Sequence, residues 1–149
     1  MNITYRQATN LDIDVVTNLL LQLFTDHDPH SLRAENELLL EDKDAAIFLA
    51  FDRAEAVGIA HVAMRFEYVE GVDSSSCGYL EAIYVRDIYR NTGIAQQLVL
   101  HCEAWTLAHK SNILASDCEV QNLASAHFHE HIGFKEVSRN IHFTKDIKR

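Results

Sequence analysis

Apolar and polar residues recur along this chain with two different periods, and the changes of period mark the predicted elements. A period near two predicts strands over residues 3–7, 45–51, 56–67, 78–85, 112–117 and 134–143. A helical period predicts helices over residues 11–24, 31–41, 92–109 and 122–133. The resulting order, β-α-α-β-β-β-α-β-α-β, indicates an α+β fold with a mixed sheet, in a single domain of residues 1–149.

Polar residues and glycine predict where several helices begin and end. Asn10 and Ser31 are the predicted N-caps of the first two helices, and Pro29 breaks the chain between them. Asn122 is the predicted cap of the last helix, and Gly133 is expected to end that helix.

The composition is that of one ordinary globular domain, with 149 residues, 48% hydrophobic and 23% charged. The N-terminus lacks the apolar run of a signal peptide, and no apolar segment approaches the roughly 18 residues of a membrane span. The cysteines are Cys77, Cys102 and Cys118, an odd number without Cys-x-x-Cys spacing, so neither a disulfide framework nor a zinc site is indicated. We therefore expect a soluble protein of the reducing cytoplasm.

Acidic residues outnumber basic residues by 22 to 13, for a net charge of −9. This balance argues against nucleic acid as a partner, because such binding rests on Lys and Arg contacts to phosphate. The acids concentrate over residues 26–44, where seven acids face two bases. Such a segment attracts a cationic small molecule, although an acidic surface can equally serve solubility alone.

A short polar turn after the strand over residues 78–85 indicates an anion site. The turn Arg90-Asn-Thr-Gly93 opens a helix, where unpaired N–H groups and the positive end of the helix dipole attract phosphate. A P-loop is excluded because the chain has no Gly-Lys pair, and a Rossmann turn because Gly93 stands alone. A solvated loop capping a surface helix is the remaining alternative.

Two motifs in order carry a resemblance to a known family. Arg90-x-x-Gly93-x-Ala95 after a Tyr-Val strand end resembles the acyl-CoA-binding signature of the GCN5-related N-acetyltransferases (GNAT). The segment from Asn122 to Phe134 resembles the last helix of the same superfamily. The resemblance implies the GNAT fold, a mixed, mostly antiparallel central sheet flanked by helices, and acetyl-CoA as co-substrate without a metal.

The resemblance also implies which residues hold acetyl-CoA. The thioester carbonyl would be polarised by backbone N–H groups of the central strand at a local splay, and Ile83, Tyr84 and Val85 occupy that stretch. The expected cofactor contacts come from the turn and from the cap of the last helix: Arg90, Asn91, Thr92, Gly93, Ile94, Ala95 and Asn122.

Three side chains are candidates for the proton transfers. Glu81 lies in an otherwise weakly polar strand, where a carboxylate must be paired or line a cavity, and it is the first candidate for the base. Asp117 at the next strand end is the second candidate, with an Asx-turn or a helix cap as the alternative. His129 stands where the superfamily has a tyrosine acting as general acid, and an imidazolium can donate a proton.

A closer resemblance is to the aminoglycoside 6′-N-acetyltransferases, of the short chromosomal type found in Gram-negative bacteria such as Acinetobacter. It rests on the segments from Arg65 to Gly71 and from Tyr79 to Val85, together with Ala115-Ser-Asp117 and Ser125-x-x-x-His129. The resemblance implies a homodimer and transfer of acetyl to the 6′-amino group of an antibiotic. It implies that six residues line the substrate cleft: Phe24, Glu67, Tyr68, Glu81, Asp117 and Glu136.

Two further positions, besides His129, depart from the family pattern, and other substrates remain open. Asp87 replaces a proline, and Asn91 replaces a second basic residue of the pyrophosphate loop. Both changes weaken the expected CoA contacts, but the backbone amides remain. The alternatives are acetylation of a polyamine or of a protein N-terminus or lysine, and a non-catalytic acyl-CoA-binding module. His127 and His131 are spaced for metal chelation but lack a third ligand in sequence, so they are interpreted as polar-face residues.

Overall fold

The computed structural model describes residues 1–148 and divides into two compact units, Met1–Asp117 and a second unit that begins at Cys118. The first unit contains five strands and three α-helices: β1 (Ile3–Gln7), α1 (Ile13–Leu23), α2 (Pro29–Glu41), β2 (Ala45–Asp52), β3 (Glu55–Arg65), β4 (Cys77–Val85), α3 (Ile94–Ala108) and β5 (Leu114–Ala115). The second unit contains α4 (Leu123–His131). The prediction that residues 1–149 form one domain stays a prediction.

The five strands form one mixed sheet in the order β1-β2-β3-β4-β5. The first four strands are antiparallel neighbours, because each is joined to the next by a turn or a return connection, whereas β5 follows the crossover helix α3 and pairs with β4 in parallel. The α+β class and the mostly antiparallel sheet are therefore confirmed.

The sheet of the first unit is covered on both faces. One face carries the main hydrophobic cluster, in which Leu19 and Leu20 of α1 and Leu32 of α2 pack against Ile47, Leu49, Ile59 and Ala82 of the sheet. Helix α3 packs against the other face, where Leu98 and Val99 are fully buried. Because side chains alternate along a strand, odd-numbered residues of β3 after the register shift at Val57, such as Ile59, face α1 and α2, and even-numbered residues from Gly58 onward face α3.

Glycine at two strand positions lets α3 approach the sheet closely. A Cβ at Gly78 would lie 2.2 Å from Thr106 Oγ1 and 2.7 Å from Thr106 Cγ2. A Cβ at Gly58 would meet Leu98 and Ile94 at 3.2 and 3.3 Å. The contact between Gly78 and Thr106 is backbone against a buried β-branched side chain, so it fixes the distance between β4 and α3.

The predicted caps of the first two helices are wrong by one to three residues. Thr9 rather than Asn10 begins the first helical region, because its hydroxyl accepts from Leu11 N while Asp12 accepts from Thr9 N in a capping box. Asp28 rather than Ser31 caps α2, and its carboxylate accepts from Ser31 N at 2.9 Å. Pro29 therefore opens α2, since the first turn of a helix tolerates the missing N–H.

The second unit bears out the predicted helix ends but not the final strand. Asn122 caps α4 by accepting from Ser125 N at 3.1 Å, and Gly133 follows the helix with a φ of +106°. Phe134 N donates to His129 O and Gly133 N to Glu130 O, which is a Schellman ending. The strand predicted over residues 134–143 is wrong: residues 134–148 contain no helix or strand, because no described segment pairs with them.

Candidate active site

Glu81 occupies a bulge in the central strand. The register of β3 and β4 passes from His61 opposite Ala82 to Val62 opposite Leu80, so Glu81 is an extra residue without a cross-strand partner. A bulge turns two consecutive residues toward one face of a sheet. Glu81 thereby joins Ala82 and Tyr79 on the face that carries α1 and α2.

The Glu81 carboxylate is paired, as the sequence required for a charge in this strand. Arg65 at the end of β3 donates from Nε to Glu81 Oε2 at 3.0 Å and from Nη2 to Oε1 at 2.7 Å. This hydrogen bond to Glu81 raises the pKa of Arg65. The guanidinium lies 3.4 Å from the centre of the Tyr79 ring, and the Tyr79 hydroxyl donates to Asp117. Both candidate carboxylates thus belong to one network.

Asp117 is therefore engaged by a side chain rather than by an Asx-turn or a helix cap. Burial raises the pKa of Tyr79, and the hydrogen bond to Asp117 raises it further. The phenol consequently stays protonated at neutral pH and remains a donor. Asp117 thus accepts a fixed hydrogen bond where β5 has ended.

His61 is a third polar group on this face, beside the bulge. Its Nε2 is buried and has no hydrogen-bond partner within residues 1–148. Burial lowers the pKa of His61, although the charges of Glu81 and Asp42 oppose this shift. The imidazole is therefore neutral at pH 7.

The edge of β4 that faces β5 is only partly covered. The two strands pair at Gly78 with Leu114 and at Tyr79 with Ala115, and at no later position in the described chain. The stretch over residues 80–85 therefore presents backbone groups to an opening between the strands. Ile83, Tyr84 and Val85 lie on this unpaired stretch, which we call the splay, and their contact with acetyl-CoA stays a prediction.

The turn that follows β4 leaves the start of α3 open. Gly93 is the N-cap with a φ of +87°, makes no side-chain cap, and would have no atom within 4 Å of an added Cβ. Asn91 also has a positive φ, +61°. The first-turn N–H groups of α3, from Ile94 and Ala95 onward, have no acceptor inside the helix. The open space at Gly93 leaves room for an anionic pyrophosphate beside these amides, and we call residues 90–95 the cradle.

Side chains within the cradle and just before it hydrogen-bond to nearby groups and so fix the conformation of the turn. The Tyr89 hydroxyl donates to Asp52 at 2.7 Å, and this bond raises the pKa of Tyr89 to about 12. The Thr92 hydroxyl donates to Tyr89 O. Arg90 donates from Nε to Val85 O at 3.0 Å and pairs with Asp87 at 2.8 Å, so its guanidinium is already engaged.

The predicted walls of the acceptor site lie at the ends of α1 and β3. Phe24 ends α1, packs against the main hydrophobic cluster and has its ring 4.9 Å from the ring of His27. Strand β3 ends at Arg65 rather than at Glu67, so Glu67 and Tyr68 lie in an exposed turn. That turn lines a cavity together with Met64, Arg65 and Phe66.

The remaining predicted site residues belong to the second unit. The Asn122 side chain caps α4. His129 donates from Nδ1 to Ser125 O at 2.7 Å, and its ring packs against Phe128 and Phe134. Glu136 pairs with Arg139 at 2.6 Å. His127 and His131 lie on α4, and within residues 1–148 no three His, Cys, Asp or Glu side chains are grouped to hold a metal ion.

Sequence reasoning missed Arg65, Tyr79 and His61 as members of this site. The Glu81 environment demanded a cation, but Arg65 lies 16 residues away and only the strand register identifies it. Alternation would have placed Tyr79 and Glu81 on one face, which is the one available signal. Nothing in the sequence indicates the bulge beside His61.

Comparisons with known proteins agree with this geometry. The model of the acetyltransferase (GNAT) family matches residues 13–134. An aminoglycoside N(6′)-acetyltransferase type 1 from Stenotrophomonas maltophilia is 36% identical over 146 residues, covering 97% of this chain and 94% of its own. A protein of the same description from Acinetobacter haemolyticus is 33% identical over 126 residues, covering 85% and 86%.

Solved structures show the same fold. The structure of AAC(6′)-Iy in complex with the bisubstrate analogue CoA-S-monomethyl-acetylneamine superposes with a TM-score of 0.94 at 30% identity, covering 99% of this chain and 100% of that one. The aminoglycoside 6′-N-acetyltransferase AAC(6′)-Ih from Acinetobacter baumannii gives a TM-score of 0.90 at 29% identity, with 99% and 100% covered. With its bulged central strand, its splay and its open helix start, the chain belongs to the acetyltransferase (GNAT) family and is an acetyl-CoA-dependent N-acetyltransferase.

Proposed function

We propose that this protein transfers the acetyl group of acetyl-CoA to the 6′-amino group of aminoglycoside antibiotics and thereby confers resistance. The observation that carries the proposal is the carboxylate of Glu81, held on the bulge of β4 beside the splay. The relatives named above are aminoglycoside N(6′)-acetyltransferases, and one neighbour is solved with the bisubstrate analogue CoA-S-monomethyl-acetylneamine.

Acetyl-CoA binds at the splay and the cradle in this proposal. The cradle over residues 90–95 takes the pyrophosphate, and N–H groups of Ile83, Tyr84 and Val85 polarise the thioester carbonyl. Asn122 contributes through the start of α4. The open space in front of Gly93 supports this assignment, since the phosphate has room to approach the amides.

The acceptor amine arrives protonated and must lose a proton before it attacks the thioester carbon. Glu81 takes that proton, directly or through a water, and Asp117 holds the acceptor as a second carboxylate. His129 donates a proton toward the departing CoA sulfur. Its Nδ1 proton is committed to Ser125 O, so the donation requires the imidazolium.

A polycation covered with hydroxyls needs several carboxylates and some aromatic surface. Glu67 and Glu136 supply further charge, and Phe24 and Tyr68 supply the walls. The exposure of Tyr68, 80%, supports a role in contact with a ligand rather than in the core.

The test is thiol release from acetyl-CoA with kanamycin, tobramycin, spermidine and a lysine peptide. We expect turnover of the two aminoglycosides and little with an analogue that lacks the 6′-amino group. Glu81→Gln is the matched variant, because it keeps the shape of the side chain but removes the base. Turnover confined to spermidine or the peptide would contradict the antibiotic substrate, and failure of the wild type to bind acetyl-CoA would leave only a non-catalytic module.

Assembly and location complete the proposal. A cytoplasmic homodimer of one N-acetyltransferase domain is proposed, with residues 1–149 as that domain. The family match over residues 13–134 supports a single domain because it runs from the first compact unit into the second. Exposed apolar side chains over residues 137–147 support a subunit contact, and three free cysteines suit a reducing compartment. No helix within the described residues is long and apolar enough to cross a membrane. Light scattering of the protein as it elutes from a size-exclusion column measures its molar mass and tests the dimer.

A further inference from the structure

Two side chains without a role in the proposed reaction, Arg65 and Tyr79, connect Glu81 to Asp117. Arg65 donates two hydrogen bonds to the Glu81 carboxylate, at 2.7 and 3.0 Å. The same guanidinium lies 3.4 Å from the centre of the Tyr79 ring, and Tyr79 reaches Asp117 through its hydroxyl. Side chains of β3 and β4 therefore connect the Glu81 carboxylate to Asp117, just beyond the end of β5.

The geometry of the Arg65–Glu81 pair differs from that of a more exposed ion pair of the chain. The Glu81 side chain is 25% exposed and the Arg65 side chain 41%, and the planar fork of the guanidinium matches both carboxylate oxygens. The Arg86–Glu55 pair, in contrast, makes one contact at 3.0 Å between side chains that are 44% and 54% exposed. A two-point contact fixes the plane of a carboxylate, whereas a one-point contact leaves it free to rotate.

The positive charge of Arg65 distinguishes a role in positioning the Glu81 carboxylate from a role in binding the acceptor. The acceptor is a cation, so a guanidinium beside Glu81 opposes acceptor binding electrostatically. Any benefit that Arg65 brings to the reaction must then come from the orientation of the carboxylate. Glu81 lies on a bulge and has no cross-strand partner beside its side chain. Its carboxylate is therefore oriented by the two hydrogen bonds from Arg65, which we call the clamp.

We propose that Arg65, stacked on Tyr79, is a positioning residue that aims the Glu81 carboxylate at the acceptor amine. The inference rests on the proposed function, in which Glu81 is the base. Misplacement of a catalytic group by about 1 Å can cost roughly 100-fold in rate. Loss of the clamp should therefore lower kcat and leave acceptor affinity intact.

The experiment measures kcat and acceptor KM for Arg65→Met, Arg65→Lys and Arg86→Gln with a 6′-amino aminoglycoside. In Arg65→Met we expect kcat to fall by about 10- to 100-fold, while KM stays equal or decreases because a like charge is gone. Arg65→Lys keeps the charge but loses the fork, so it should recover part of kcat. Arg86→Gln removes an equally exposed arginine and should match the wild type.

A double variant tests whether Arg65 acts through Glu81. Adding Arg65→Met to Glu81→Gln should slow the reaction no further than Glu81→Gln alone. An unchanged kcat in Arg65→Met, or a raised KM with unchanged kcat, would overturn the inference alone. Absence of wild-type acetylation would overturn the proposed function and this inference together. If Arg65→Met is unfolded at the assay temperature, a wild-type kcat in Arg65→Lys overturns it.

Discussion

Arg90 is the one cation of the phosphate cradle, and its neighbour Asp87 already neutralises it. The two side chains lie 2.8 Å apart, with Asp87 82% exposed, where the family pattern has a proline. A carboxylate at this position competes with the CoA phosphates for the guanidinium. An exposed ion pair of this kind is worth about 0.2–1 kcal/mol, so the competition is modest.

Asp87→Asn should therefore tighten acetyl-CoA binding by at most about fivefold. Titration calorimetry at low salt measures the change in Kd. Asp14→Asn, which removes an exposed carboxylate paired with Arg33 at 2.9 Å, controls for net charge alone. Equal Kd values for Asp87→Asn and wild type would show that the pair does not restrain Arg90.

We expect His61 to make the folded protein sensitive to mild acid. Burial lowers the pKa of His61 in the folded state, whereas the unfolded chain keeps the ordinary value near 6.5. Below about pH 6.5 the unfolded state therefore binds a proton that the folded state resists, and stability is lost as pH falls. The nearby charges of Glu81 and Asp42 reduce this effect but do not reverse it.

His61→Phe should abolish this part of the pH dependence, because it removes both the titration and the unpartnered Nε2. Urea unfolding midpoints at pH 7.5 and 5.5 measure it, and the gap between the two should be smaller in the variant than in the wild type. His142→Phe, at an exposed position, is the control and should leave the gap unchanged. A gap of wild-type size in His61→Phe would mean that other groups carry the acid sensitivity.

At the scale of elements, the contact between β4 and α3 depends on one glycine. A Cβ at Gly78 would lie 2.2 Å from Thr106 Oγ1, and Thr106 is buried and hydrogen-bonded to Cys102 O. Overpacking of this kind typically costs about 1–3 kcal/mol. Gly78→Ala should lower the free energy of unfolding by about this amount.

Gly58→Ala is the matched comparison, because its Cβ would meet flexible Leu98 and Ile94 at 3.2–3.3 Å and should cost less. Adding Thr106→Ala to Gly78→Ala removes the two closest atoms and should restore part of the loss. Chemical denaturation of the wild type and the three variants measures the order of their stabilities. A Gly78→Ala protein as stable as the Gly58→Ala protein would show that the helix moves away without cost.

The elements predicted from periodicity came out largely right, and the exceptions have physical causes. The core strands and three long helices carry strong patterns that their packing then satisfies. Residues 134–143 have the alternation of a strand, but no described strand pairs with them. A β-ladder needs a second strand, and the local sequence does not show whether one is present. The bulge at Glu81 is likewise a property of two strands in register, which is why its clamp, Arg65, could not be predicted.

At the scale of the whole molecule, a net charge of −9 favours a cationic acceptor. Seven acids over residues 26–44 lie on or beside α2, and several are exposed. Attraction between exposed charges is screened over a Debye length of about 10 Å at 0.1 M salt. The encounter with a polycation should therefore weaken as salt increases.

We expect the aminoglycoside KM to rise severalfold between about 50 and 500 mM salt, with kcat nearly constant. Glu35→Gln combined with Glu37→Gln, on exposed positions of α2, should reduce this salt dependence. Steady-state kinetics at several salt concentrations measures both. A KM independent of salt would contradict long-range attraction and leave the substrate site to short-range contacts.

The bulge also bears on changes of chain length. Because Glu81 is the extra residue, Leu80 lies opposite Val62 toward α3, and Ala82 lies opposite His61 toward α1 and α2. Deleting Glu81 would join these two neighbours into a regular ladder without turning any other β4 residue to the wrong face. Loss of one residue from a central strand normally destroys a fold, but here it should give a folded protein that binds acetyl-CoA and cannot transfer the acetyl group. A lineage could thus change from enzyme to acetyl-CoA-binding protein through the loss of a single codon.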